Sequence, residues 1–238
     1  MSKLHIITPV KDSIDIASKT IESIMNSEIS VDYIYTVYND LSKPESTAQL
    51  EQLSEQFGFY LINLKDVTLH PSPNYLTILQ MAQQRAIFEG AHLLIVESDV
   101  VVGKNTIQEM YNRAINLENP GLIASVTTDS NRKINYPYLF AKRFKSEVVS
   151  TKKQLSFCCT LLTQELLSSY NFNLLNPERT WHDHFISQKA LEIGFKNYLA
   201  PSLPVIHLQH SIYPWMHLKQ TQPAKYYWTK FINKLTNQ

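Results

Sequence analysis

Two carboxylates one residue apart close the apolar run His92-Leu93-Leu94-Ile95-Val96-Glu97-Ser98-Asp99. Hard oxygens paired on one side of a chain suit Mg²⁺ or Mn²⁺, and an ion so held can in turn hold a phosphate. Extended backbone alternates its side chains, so Glu97 and Asp99, two apart, are predicted to share a side. Two unrelated acids at a solvated strand end would read the same way, and only their surroundings separate the two. A second group of chemistry-bearing residues comes late: His182, His184, His207, His210 and His217 are five of the eight histidines. Asp183 sits between two of them at the start of a helical pattern, where it is either the helix N-cap or a general base. His207 and His210 follow the β-like Val205-Ile206, and either can offer nitrogen to a metal already held by Asp99. A zinc site made from these histidines alone lacks the HExxH spacing of a helix-borne pair.

The elements that must position these groups alternate. Leu4 to Pro9 reads as a strand. Ile14, Ala17, Ile21, Ile24 and Met25 then recur at helical spacing, with Asp12 or Ser13 as N-cap. Tyr33 to Tyr38 is a second strand, Pro44 to Phe57 a second helix, Phe59 to Leu64 a third strand, and Asn74 to Glu89 a third helix. The four consecutive aliphatics Leu93 to Val96 suit a central strand covered on both faces. Strand and helix in alternation predict an α/β fold with a mostly parallel, doubly wound sheet. In such sheets ligands bind beyond the carboxyl ends of the strands. A helix (Thr106 to Leu117) and a strand (Leu122 to Thr127) continue it. Phe157 to Leu162 reads as a strand, Asp183 to Ile193 as a helix, and Lys196 to His207 as two short pieces broken by Pro201 and Pro204.

Composition narrows the class. Hydrophobic residues make up 44% and charged ones 18%, an ordinary globular balance. A formal net charge of +1 gives no field that would draw nucleic acid. The adjacent Cys158 and Cys159 cannot join without strain, so both are expected reduced, as in the cytosol. No apolar run reaches the roughly 20 residues that a membrane helix needs, and the N-terminus has no signal-peptide pattern. Of the five glycines, Gly58, Gly90 and Gly194 each follow a helical pattern, which leaves none for a phosphate-cradling loop. A bound diphosphate would then need another neutraliser, and a metal is the natural one.

In order and spacing these landmarks resemble the family-2 glycosyltransferases of the GT-A fold, over about residues 4 to 211. Ile6-Ile7-Thr8-Pro9-Val10 resembles the family's first strand and nucleotide-contacting turn. Asn39-Asp40-Leu41-Ser42 stands where the family has Asp-Asp-Gly-Ser, and Glu97-Ser98-Asp99 where it has the Asp-X-Asp metal motif. His182-Asp183 resembles the Glu-Asp pair whose Asp is the catalytic base, and Val205-Ile206-His207 resembles the strand and histidine that follow it. The resemblance implies a single catalytic domain over 1–212, with a nucleotide-binding half (1–102) and a smaller acceptor half (103–212). It implies that Thr8, Pro9, Val10, Asn39, Asp40, Glu97 and Ser98 contact a UDP-sugar. Asp99, with His207 or His210, would hold Mn²⁺ or Mg²⁺, and Asp183 would be the base of an inverting transfer to a saccharide or lipid-linked glycan. Leu41 in place of glycine implies a strained turn.

Residues 213–238 alternate aromatic and basic side chains. They suit either a helix packed on the domain or a peripheral contact at the inner face of a membrane. Aromatic side chains at Tyr136, Tyr138, Phe140 and Phe157 suit either sugar stacking or core. Two other functions stay open. One is a non-catalytic nucleotide-sugar or carbohydrate-binding protein. The other is a sugar nucleotidyltransferase, although Val10-Lys11-Asp12-Ser13 stands where that class carries a glycine-rich basic loop.

Overall fold

The computed structural model describes residues 3–208, which belong to one compact unit. His210, His217 and the aromatic and basic tail lie outside the described residues. In chain order the elements are β1 (Leu4–Val10), α1 (Ile14–Met25), β2 (Tyr33–Asn39), α2 (Pro44–Phe57), β3 (Tyr60–Asn63), α3 (Tyr75–Glu89), β4 (His92–Val96) and β5 (Val100–Val101). There follow α4 (Thr106–Asn116), β6 (Pro120–Thr128), β7 (Val149–Ser150), β8 (Cys159–Leu162), α5 (Gln164–Ser169), α6 (His182–Glu192) and β9 (Lys196–His207).

One curled sheet in the order β3-β2-β1-β4-β8-β6-β9-β5 carries the molecule, with β7 also on β9. Parallel pairing joins β3, β2, β1 and β4, and again β6 and β9. The continuous aliphatic run of β4 is explained by its two faces. Leu93 and Ile95 enter one core cluster with α3 and α5, while Leu94 and Val96 enter another with α1 and α4. Alternation puts neighbouring side chains on opposite faces, so a strand buried on both has no polar position to spare.

The second half departs from the predicted order. β8 runs antiparallel and wedges between β4 and β6, where β6 was expected to continue the sheet directly. That insertion fuses the two predicted halves into one sheet. Lys196–His207 is one strand, not two pieces. Its pairing with β6 skips from Ser125↔Ala200 to Thr127↔Val205, so Pro201 and Pro204 fall in a bulge where β6 asks no ladder bond of them.

Helix termini follow the sequence closely. Gly58, Gly90 and Gly194 take φ of +75°, +63° and +94°, the left-handed conformation glycine adopts without penalty. At the α1 start one of the two expected N-cap residues takes the position. Ser13 holds the cap position with φ 48° and makes no side-chain cap bond, while Asp12 instead accepts from the Lys43 N–H at 2.7 Å.

Asp40 directly follows β2 and is 5% exposed. Its carboxylate accepts from Ser72 Oγ at 2.7 Å, from the Asn74 N–H at 2.9 Å and from Asn74 Nδ2 at 2.8 Å. It thereby ties the loop that starts α3 to the end of β2. Hydrogen bonds to a buried charge are worth about 1.5–3 kcal/mol, and their loss here strands the Asn74 N–H. Asp40→Ala is expected to lower the unfolding free energy by about 3 kcal/mol in urea titration, with Asp40→Asn losing less. An unchanged midpoint would show that this tether contributes nothing.

Candidate active site

Glu97, Ser98 and Asp99 do not continue β4 but form the turn between β4 and β5. The Val100 N–H donates to the Glu97 carbonyl at 3.1 Å. The chain reverses here because β5 must pair antiparallel with β9. The two carboxylates are therefore brought together by a tight turn rather than by the extended alternation predicted. Backbone bonds clamp both ends. The Glu97 N–H donates to the Cys158 carbonyl at 2.9 Å, and the Leu208 N–H to the Asp99 carbonyl at 2.7 Å. Those pairings extend the β4–β8 and β5–β9 ladders by one step and set Cys158 and His207 beside the acidic turn.

The side chains converge accordingly. His207 Nε2 lies 3.0 Å from Asp99 Oδ2, and Asp99 is 4% exposed. A ligand atom of Glu97, the Cys158 thiol and a His207 nitrogen all lie within 4.8 Å of one another. Burial, and then the Asp99 charge, push the Glu97 carboxyl up to about 7; the Cys158 hydrogen bond and His207 oppose the rise, and Asp183 adds to it. For His207, burial alone would lower the imidazole. The Asp99 hydrogen bond, the Asp99 and Glu97 charges and the Tyr136 backbone outweigh it, and the ring ends above its ordinary value. The Cys158 thiol is held well above its usual range by burial and the Glu97 carboxylate, and is a neutral thiol here.

Asp183, on α6, is within electrostatic reach of Glu97. It is not the cap residue, since Trp181 holds that position without a side-chain bond. It does occupy the first turn, where Oδ1 accepts from the His184 N–H at 2.7 Å and Oδ2 from Gln154 Nε2 at 3.1 Å. Burial raises its carboxyl, and those two bonds partly offset the rise. Tyr75, at the start of α3, links the two groups. Its ring stacks on His182 with centroids 6.3 Å apart. Its buried phenol is held well above its ordinary range by burial and by the charges of Glu97, Asp183 and Cys158. One phenol thus feels the acidic turn and Asp183 together, so both lie within electrostatic reach of one region.

The donor chemistry fits a hard divalent cation. Glu97, Asp99 and His207 offer oxygens and a nitrogen, and the carboxylate repulsion that raises Glu97 is what a cation relieves. Ser98, half-buried, sits at the tip of the same turn.

The other residues expected to contact a nucleotide lie at the carboxyl ends of β1 and β2. Thr8 is fully buried and its hydroxyl accepts from Tyr35 at 3.0 Å, Val10 packs in the core, and only Pro9 is partly exposed. Asn39 is committed inward: Nδ2 donates to Thr47 Oγ1 at 2.9 Å and Asn63 Oδ1 at 2.7 Å, and Oδ1 accepts from the Ser42 N–H at 3.1 Å. With Asp40 bonded to Ser72 and Asn74, this turn also has a structural role. Leu41 within it has φ 56°, the strain that a leucine in glycine's place implies. Phe157 and Tyr138 are core residues, whereas Tyr136 is exposed. Tyr75 and Gln154 are not singled out by sequence, and Cys158 reads there only as a reduced thiol. Nothing in their local pattern marks them, because strand pairing and helix docking alone bring them here.

Known structures share this architecture. S. aureus TarS 1–349, solved in complex with UDP-GlcNAc, superposes with a TM-score of 0.68 at 14% identity, over 88% of this chain and 59% of that one. The mannosyltransferase PcManGT from Pyrobaculum calidifontis, solved with GDP-Man and Mn²⁺, gives 0.66 at 12% identity, over 98% of this chain and 64% of that one. This chain has the GT-A fold. GalNAc-T7, solved with UDP, GalNAc and Mn²⁺, gives 0.65 at 11% identity, over 88% of this chain and 44% of that one. The chain spans about three fifths of the length of the first two of these GT-A structures. No protein-family model matches it, and no curated protein does. Among the described residues no helix is long and apolar enough to cross a membrane.

Proposed function

We propose that the protein is a metal-dependent, inverting glycosyltransferase that moves a sugar from a UDP-sugar to a hydroxyl of a glycan or lipid-linked saccharide. The observation that carries this reading is the convergence of Glu97, Asp99 and His207 at the carboxyl end of β4, with Asp183 within their electrostatic reach. The GT-A fold supports it, and so do the nucleotide-sugars and Mn²⁺ held by the neighbouring structures.

Glu97, Asp99 and His207 would hold Mn²⁺ or Mg²⁺. When bound, the cation supplies Lewis-acid stabilisation of the departing diphosphate. Asp183 takes the proton of the acceptor hydroxyl as its oxygen bonds the anomeric carbon, and the bond to UDP breaks with its electron pair. One displacement from the opposite face inverts the centre. The raised carboxyl of Asp183 makes it a stronger base than an exposed aspartate, while Gln154 and the His184 N–H aim it.

The test is UDP release from a panel of UDP-sugars with Mn²⁺, with and without saccharide acceptors. Tight UDP binding with no turnover on any donor would leave a non-catalytic binding protein instead.

Cation binding carries its own pH signature. Glu97 at about 7 and the raised His207 must both give up protons to bind metal, so protons compete with the cation. Affinity for Mn²⁺ is expected to rise with pH by about tenfold per unit or more below pH 7, and to level off only once Glu97 and His207 have both lost their protons. Calorimetry in buffers of different ionisation enthalpy counts those protons, and a flat profile from pH 6 to 8 removes Glu97 and His207 from the site.

A further inference from the structure

The acidic turn holds one group that a site for a hard cation does not require. Cys158 lies 3% exposed beside it, its thiol within 4.8 Å of the donor atoms of Glu97 and His207. Its place is fixed from several sides. The Cys158 carbonyl accepts from the Glu97 N–H at 2.9 Å. Ser156 Oγ lies 3.2 Å from the Cys158 sulfur. The buried Tyr138 hydroxyl locks the Ser156 backbone, accepting from its N–H at 2.8 Å and donating to its carbonyl at 3.1 Å. The neighbouring Cys159 serves a different purpose, with its sulfur 3.7 Å from Met110 in the core.

We propose that Cys158 is a metal ligand, and that it makes this cation site prefer a thiophilic ion such as Zn²⁺ over Mn²⁺. Oxygen donors alone suit Mg²⁺ and Mn²⁺, whereas adding sulfur to nitrogen and carboxylate oxygen gives a set suited to four-coordinate Zn²⁺ or Co²⁺. The intrinsic order of divalent affinities already ranks Zn²⁺ above Mn²⁺, and a thiolate widens that gap. On binding, the Cys158 S–H bond breaks, a sulfur–metal bond forms, and the proton passes to the buffer. The inference rests on the cation site proposed above and adds a ligand that changes which ion the site selects.

The experiment is optical. Metal-free protein of full length is titrated with Co²⁺, and visible d–d bands are recorded together with the near-ultraviolet sulfur-to-cobalt charge-transfer band. The wild-type protein is expected to show both, Cys159→Ala to keep both, and Cys158→Ser to keep the visible bands while losing the charge transfer. Cys158→Ser should also lower Zn²⁺ affinity by at least about tenfold, the low end of what losing even an outer-shell partner costs, and lower Mn²⁺ affinity less. Visible bands without charge transfer in the wild-type protein would overturn the ligand role of Cys158 alone, leaving a site of Glu97, Asp99 and His207. That spectrum needs no variant to fold. Absence of any cobalt band would overturn this inference and the cation site together. Cobalt spectra as expected with no sugar transfer would uphold the ligand and sink only the transferase reading.

Discussion

Asp183→Asn is expected to transfer sugar about 10²–10⁴-fold more slowly than the parent while binding UDP as tightly, since that range is what a positioned general base contributes. The substitution is nearly isosteric. An asparagine carbonyl can still accept the His184 N–H that now reaches Asp183 Oδ1 at 2.7 Å, so the first turn of α6 keeps its bond. What disappears is basicity, because a neutral amide cannot take the acceptor proton. The pH dependence separates this from misfolding. Burial raises the Asp183 carboxyl, so the parental rate should fall on acidification at a higher pH than for an exposed aspartate, as protonation disables the base. The residual rate of the variant should lack that limb. Steady-state rates over pH with UDP affinity by calorimetry make the measurement, and a variant as fast as the parent would remove Asp183 from the chemistry.

Asp99→Ala should weaken Mn²⁺-dependent UDP binding by about 10²-fold or more, beyond what outer-shell losses cost. Three effects follow from one carboxylate. A hard donor is lost, His207 loses its 3.0 Å partner, and Glu97 loses the neighbouring charge that raises it. The last two shift titrations in a known sense. Without Asp99 the Glu97 carboxyl falls toward its ordinary range and the His207 imidazole falls as well. The pH at which cation binding saturates should therefore move down even as the affinity collapses. An equal loss of metal-free and metal-dependent UDP binding would point to general damage instead. Calorimetric titration of UDP with and without Mn²⁺, from pH 6 to 8, distinguishes these outcomes.

Much of the scaffold was legible in the chain. The aliphatic run of β4, the alternation of strand and helix through residue 96, and glycines closing helices at 58, 90 and 194 are local signals, and the structure matches them. The acidic pair was visible because Glu97 and Asp99 are neighbours in sequence. Its geometry was not, because whether a chain continues as a strand or turns depends on a partner, and that partner is β9, about a hundred residues away. Phe157 to Leu162 reads as a strand and contains β8, but the place of β8 in the sheet is not legible. A four-residue strand that inserts between β4 and β6 carries no mark of which neighbours it will take. Asn39 and Asp40 stand where the resemblance implies ligand contacts, and Thr47, Asn63, Ser72 and Asn74 give them structural partners that the sequence does not reveal.

Residue order alone settled the periodicities, the helix ends and the acidic pair, because each depends on contacts within a few positions along the backbone. Tertiary structure decided which groups share a site. Cys158, His207 and the acidic turn meet only because antiparallel pairing on both flanks of that turn folds them together. Long-range pairing is selected by the whole sheet burying its two faces at once, and no single segment encodes that.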